Sequence, residues 1–163
     1  MVDANPGART EDDDRFGFSE SRLTGALRKL VPQSLARRSV AVRVRTDKHR
    51  YRPGESVDID IEFRNRFPVP VVVATPSRRL WGWTVDGRLE ASDEPRYVPD
   101  SPGAFRFRAR ERKRVRRTWD GRVERVDDRV RETLSPGTYE IRAFVATTER
   151  RPCDVTTIEI TRF

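Results

Sequence analysis

Histidine and cysteine are almost missing from this chain, with one of each in 163 residues. His49 alone cannot build a metal centre that needs two or three imidazoles. Cys153 alone permits no internal disulfide, so a reducing compartment is the simplest setting. Lysine is scarce too: only Lys29, Lys48 and Lys113 occur among the 34 cationic residues, which leaves 31 arginines. No Gly-rich phosphate loop and no Gly-x-Ser-x-Gly appear. No window is apolar enough to span a membrane, and Met1 to Asp14 offers no apolar stretch of secretory length. The expectation from these absences is a soluble, cytoplasmic protein that is not an enzyme and carries no cofactor and no metal.

What is present is charge: 37% of residues are ionic, 35% are apolar, and the net charge is +8. That is polar for a globular chain and suits a thin two-layer structure or a partly disordered chain better than a large enzyme core. The basic excess raises the odds of an anionic partner without choosing among nucleic acid, lipid and acidic protein.

Three segments follow from the pattern. Residues 1–18 are small, polar and acidic, with Asp12-Asp13-Asp14, and read as a disordered tail. Residues 19–38 read as a basic amphipathic helical arm. In it Leu23, Ala26, Leu27, Leu30 and Val31 keep helical spacing, with Arg22, Arg28 and Lys29 opposite. Pro32 should stop the first helix near Val31, and a second short turn from Gln33 to Arg38 carries Leu35 in the apolar stripe. About a dozen residues make a marginal helix in water, so its leucines need cover: the domain itself, a partner groove or an anionic membrane.

At Ser39 the period falls from 3.6 to 2. Val40, Val42 and Val44 alternate with Ala41, Arg43 and Arg45; Val57, Ile59, Ile61 and Phe63 alternate with Asp58, Asp60, Glu62 and Arg64. Val69–Ala74 is a β-branched run among Pro68, Pro70 and Pro76, which marks a short or edge strand. Leu80–Val85 leads into Asp86-Gly87, a hairpin signal. Phe105, Phe107 and Ala109 alternate with arginines in a strand expected over 105–117. Residues 120–132 are strand or loop, and strands follow at Tyr139–Val145 and Val155–Ile160. The sum is an all-β, immunoglobulin-like antiparallel sandwich of seven to eight strands over 39–163, with a short N-terminal helix.

Three fragments carry a resemblance: Tyr51-x-Pro-Gly-Glu-x-Val running into the strand that ends at Asn65, the strand Leu80–Val85 with Asp86-Gly87, and Trp119 followed by Leu134-x-Pro-Gly-Thr-Tyr139. Their order over residues 39–161 resembles the bacterial intracellular proteinase inhibitor family, whose domain is an immunoglobulin-like sandwich. The resemblance implies a protein-binding module and modulation of an intracellular protease. Leu134–Tyr139 also resembles a tyrosine corner, in which the Tyr139 hydroxyl bonds backbone a few residues upstream.

The candidate binding residues are Arg112, Lys113, Arg114, Arg116 and Arg117, together with Trp81 and Trp83. A strand row of arginines roughly 6–7 Å apart matches a phosphodiester backbone. Against that, the acidic face Asp58, Asp60 and Glu62 should lie beside Arg106, Arg108 and Arg110 and pair with them, leaving Arg112 to Arg117 free. Trp81 and Trp83 share one strand face; core packing is the plain reading and an exposed aromatic platform the sharper one. Two functions stand: a non-catalytic module that binds another protein, and a basic accessory protein of RNA or ribosomes that uses Arg112–Arg117 and Arg37-Arg38. Peripheral membrane attachment through residues 19–38 is third, and oligomeric state is left open.

Overall fold

The computed structural model describes residues 31–89, 101–124, 131–149 and 151–162. The tail expected over 1–18 and the helix expected with Leu23, Leu27 and Leu30 lie outside them. Among the described residues one short helix, α1 (Gln33–Ser39), precedes β1 (Val40–Thr46), β2 (Arg50–Tyr51), β3 (Val57–Asn65), β4 (Val71–Thr75), β5 (Trp81–Val85) and β6 (Arg88–Leu89). Then follow β7 (Gly103–Phe107), β8 (Arg112–Trp119), β9 (Arg122–Glu124), β10 (Arg131–Thr133), β11 (Gly137–Val145) and β12 (Cys153–Ile160). Eight of these strands run five to nine residues and four are two or three long, so the long ones match the number expected.

They form a two-layer all-β sandwich. One layer is β1-β3-β8; the other is β2-β12-β11-β5-β6. Period-2 alternation puts Val57, Ile59, Ile61 and Phe63 of β3 inward, each at most 1% exposed. They meet Trp83, Val85, Ile141, Ala143, Val145 and Ile158 of the facing layer. Ring contacts cross the gap: Phe63 lies 5.7 Å from Trp81, and Trp83 meets Trp119 edge-on at 6.3 Å.

The long ribbon of β3 and β8 is interrupted and then resumes as β4 and β7. Residues 66–70 bulge on one side and 108–111 on the other. The gap is clamped by Asn65, which is fully buried. Its Nδ2 donates to Val69 O at 2.8 Å and Arg108 O at 2.9 Å, and its Oδ1 accepts from Phe67 N at 2.9 Å. This corrects the single strand expected over 105–117: Arg108–Glu111 is a turn, with Arg110 at φ 58. It contains no Gly, Pro or Asn to announce itself.

The free edge of β4 is covered by one side chain. Gln33 donates through Nε2 to Val72 O (2.9 Å) and accepts from Ala74 N at Oε1 (2.8 Å), copying a strand neighbour. Ala36 and Ser39 face the sandwich, whereas Leu35 is 42% exposed. The expected apolar stripe therefore does not continue through Leu35: the Gln33 bonds set the rotation of α1 and turn Ala36 inward. The Asp86-Gly87 turn has both residues at positive φ (47 and 76), as a two-residue hairpin requires. Tyr139 donates its hydroxyl hydrogen to Ser135 O at 2.8 Å, the bond expected of the corner.

Where the chain crosses between layers, Tyr51 is 1% exposed and donates to Asp47 Oδ1 at 2.7 Å. Burial, and then this bond to a carboxylate, push the Tyr51 phenol from 10.0 to about 12. A raised phenol pKa means the folded state favours the neutral form. Its stabilisation is therefore complete below pH 10 and is lost as pH climbs through about 12. A fast ultraviolet titration of the folded protein should show a tyrosine ionising near that value, and Tyr51→Phe should remove that late step. Loss of the whole signal near pH 10 in the wild type would contradict the assignment.

Candidate functional site

Strand β3 turns Asp58, Asp60, Glu62 and Arg64 outward, and its neighbours decide what these meet. On β1, Arg43 stands opposite Glu62 and Arg45 opposite Asp60. On β8, Thr118 stands opposite Asp58, Arg116 opposite Asp60, Arg114 opposite Glu62 and Arg112 opposite Arg64. The result is a carboxylate row flanked by two arginine rows, with six arginines and three acids on one sheet face. Arg43, Arg45, Asp60, Glu62, Arg112, Arg114 and Arg116 border a shallow groove of about 360 Å³.

Arg114 Nε donates to Glu62 Oε2 at 2.9 Å, Arg116 Nε to Asp60 Oδ1 at 2.9 Å, and the Thr118 hydroxyl to Asp58 Oδ1 at 2.7 Å. The Arg114 bond holds the Glu62 carboxyl below its ordinary value, and the Asp60 bond raises Arg116. Arg43, Arg45 and Arg112 donate to no carboxylate among the described residues, so three guanidinium forks face solvent with donors to spare.

The acidic face was expected to pair with Arg106, Arg108 and Arg110, and this is corrected: Arg114 and Arg116 take that place. β7 pairs with β4 and not with β3, and 108–111 belong to neither ladder, so Arg106, Arg108 and Arg110 lie beyond the acids; the register shifts by only two positions across the interruption. Arg106 instead stands opposite Val72, Arg108 lends its carbonyl to Asn65, and Arg110 donates to Arg66 O.

Nor do Arg112–Arg117 form one free patch. Arg112, Arg114 and Arg116 face outward. Lys113 and Arg117 lie along the open edge of β8 over aromatic rings, with Lys113 Nζ 5.6 Å from the Phe107 centroid and Arg117 Cζ 5.3 Å from that of Trp81. Lys113 also pairs with Glu111 at 3.1 Å. Trp83 is in the core at 1% exposure, and Trp81 is half-buried beneath Arg117. The pair builds the interior and its margin, not an exposed platform.

The lone histidine and cysteine are kept apart. His49 O accepts from Glu159 N, while exposed Cys153 opens the same strand six residues earlier, about 20 Å away along β12. They cannot act as nucleophile and base on one substrate. Among the described residues no group of three or more metal-ligating side chains occurs, and no helix is long and apolar enough to cross a membrane.

Sequence reasoning missed Arg43, Arg45 and Arg64 as members of the face. Their alternation was visible; the adjacency of β1 to β3, which makes them neighbours of the acids, was not.

Several solved structures are distantly similar to this chain. The CARDB domain of a Pyrococcus furiosus protein is 11% identical with TM-score 0.47, over 76% of this chain and 94% of that one. The sporulation control protein Spo0M of Bacillus subtilis is 11% identical with TM-score 0.47, over 77% of this chain and 50% of that one. An alkylpurine DNA glycosylase of Pseudomonas fluorescens is 13% identical with TM-score 0.47, and the match spans 76% of this chain but only 31% of the glycosylase. No curated protein matches. The model of a family of unknown function, DUF7974, matches residues 28–161, and the chain belongs to that family.

Proposed function

We propose that the sandwich is a non-catalytic module that binds another protein through the outer face of β1, β3 and β8. The observation that carries this is the interleaving of charge: arginines on both flanks, carboxylates between them. A phosphodiester backbone carries one sign only, so laid along this face it meets Asp60 and Glu62 at van der Waals range. A protein surface can answer both signs, placing carboxylates at Arg43, Arg45 and Arg112 and a cation over Asp60. Such matching sets orientation and rejects wrong partners more than it adds affinity. Modulation of an intracellular protease is the version that the proteinase inhibitor resemblance suggests. The excess of six arginines over three acids favours a second reading, a basic accessory protein of RNA or ribosomes.

Charge reversal tests the first reading. Arg43→Glu with Arg45→Glu breaks no hydrogen bond to a described residue; it sets like charges opposite Glu62 and Asp60, at about 0.2–1 kcal/mol for each pair, a cost that the fold should survive and a melting curve checks. Proteins retained from native extract by the wild-type domain should be lost by the double variant, and their retention should resist nuclease. An identical set on both proteins, or retention abolished by nuclease, would overturn it.

A further inference from the structure

A second basic cluster sits away from the sheet face, at the end of the sandwich beside α1. Arg37, Arg38, Arg66 and Arg151 border one depression of about 550 Å³ together with Val40 and Pro152. They come from three places in the chain: the last turn of α1, the residue after β3, and the link into β12. Four like charges round one hollow repel one another, and the counter-charge beside them among the described residues is weak. Glu149 does pair with Arg37 at 3.0 Å, but its side chain is 81% exposed and solvent screens it.

Three of the four arms are nevertheless held. Arg37 Nε donates to Gln33 O (3.2 Å) and its Nη1 to Glu149 O (3.3 Å). Arg66 Nη2 donates to Arg38 O (2.6 Å), and Arg151 Nε to Thr147 O (3.3 Å). Arg151 also lies 4.7 Å over the Phe144 ring. Arg37 spends Nε and Nη1 on Gln33 and Glu149, whereas Arg66 and Arg151 each use one nitrogen and leave other N–H groups without an acceptor among the described residues. Anchored forks with unspent donors are what an oxyanion site needs, because little side-chain entropy remains to be lost on binding.

We propose that this cluster binds a terminal phosphoryl group. Three forks with donors to spare, Arg38, Arg66 and Arg151, arrive from three directions and outnumber the two oxygens of a carboxylate, whereas a phosphate dianion presents three oxygens in a tetrahedral spread. The hollow is large enough to admit a small organic carrier behind the phosphate. The site is independent of the protein-binding face and stands or falls without it.

The test is calorimetric titration of the full chain with inorganic phosphate, ribose 5-phosphate and acetate at matched ionic strength. Saturable binding of the first two and none of acetate is expected. Tighter binding of ribose 5-phosphate identifies a small phosphomonoester as the ligand; equal binding identifies the free ion. Arg66→Gln with Arg151→Gln should weaken binding about a hundredfold, roughly tenfold for each charge-assisted fork removed. Arg38→Gln, at an exposed residue that donates no side-chain bond to a described residue, should give about tenfold with the melting point unchanged. Arg43→Glu with Arg45→Glu, on the other face, should leave it intact. Absence of saturable binding at millimolar phosphate, equal response to acetate, or equal loss in the face variant would overturn the proposal.

Discussion

Asn65→Ala should cost about 3 kcal/mol of stability, the sum of leaving buried backbone groups without partners. Asn65 is fully buried, and its amide serves three of them: Val69 O, Arg108 O and Phe67 N. Alanine fills none of those roles, and a water admitted to the gap would recover only part of them at an entropic cost. The melting point should fall by roughly 10 °C in a domain of this size, measured by calorimetry or denaturant titration. Asn65→Asp keeps the acceptor for Phe67 N–H but sets a carboxylate against two carbonyls, so it should be no better than alanine at neutral pH. A loss under about 1 kcal/mol for Asn65→Ala would mean the bulge is held by its neighbours and not by this side chain.

That residue also shows where the sequence stops being readable. The strand Val57–Asn65 announces itself by alternation, because one face must be buried and the other wetted, and the structure reproduces it residue by residue. Asp86-Gly87 and the Ser135–Tyr139 corner are equally legible, since turn geometry is a local property of residue type. The interruption at 108–111 was hidden for the opposite reason. Its turn is closed locally by Glu111 N to Arg108 O and Arg108 N to the Glu111 carboxylate, but it is pinned by two long-range bonds, Asn65 N to Glu111 O and Arg110 N to Phe67 O, which hold Arg110 at its left-handed φ. Nothing in Arg108-Ala109-Arg110-Glu111 signals this.

The candidate face was half legible for the same reason. Opposed acidic and basic strands could be foreseen from composition and strand order. Which arginine meets which acid depends on which half of the 103–119 ribbon lies beside β3; that half is β8, so the pairing falls on Arg114 and Arg116 and not on Arg106, Arg108 and Arg110. The docking of Gln33 on β4 joins residues 39 and 41 positions apart, far beyond any local pattern. Leu35 was placed in an apolar stripe because helical spacing alone fixes periodicity but not which way a seven-residue helix is turned.

The carboxylate row is the heart of the functional account. If Asp60 and Glu62 are what keep a nucleic acid off this face, removing their charge should create the affinity that the arginines alone would have. The decisive measurement is the salt dependence of binding to heterologous single-stranded RNA, for the wild type and for Asp60→Asn with Glu62→Asn. With three net charges on the face, the wild type should give a slope of log affinity against log salt of about −2. Loss of two acids should steepen it by about 1.4 and raise low-salt affinity at least tenfold. A wild-type slope of about −4 or steeper, unchanged by the double substitution, would show that the arginines already track a phosphate backbone, and the protein-binding reading would be wrong.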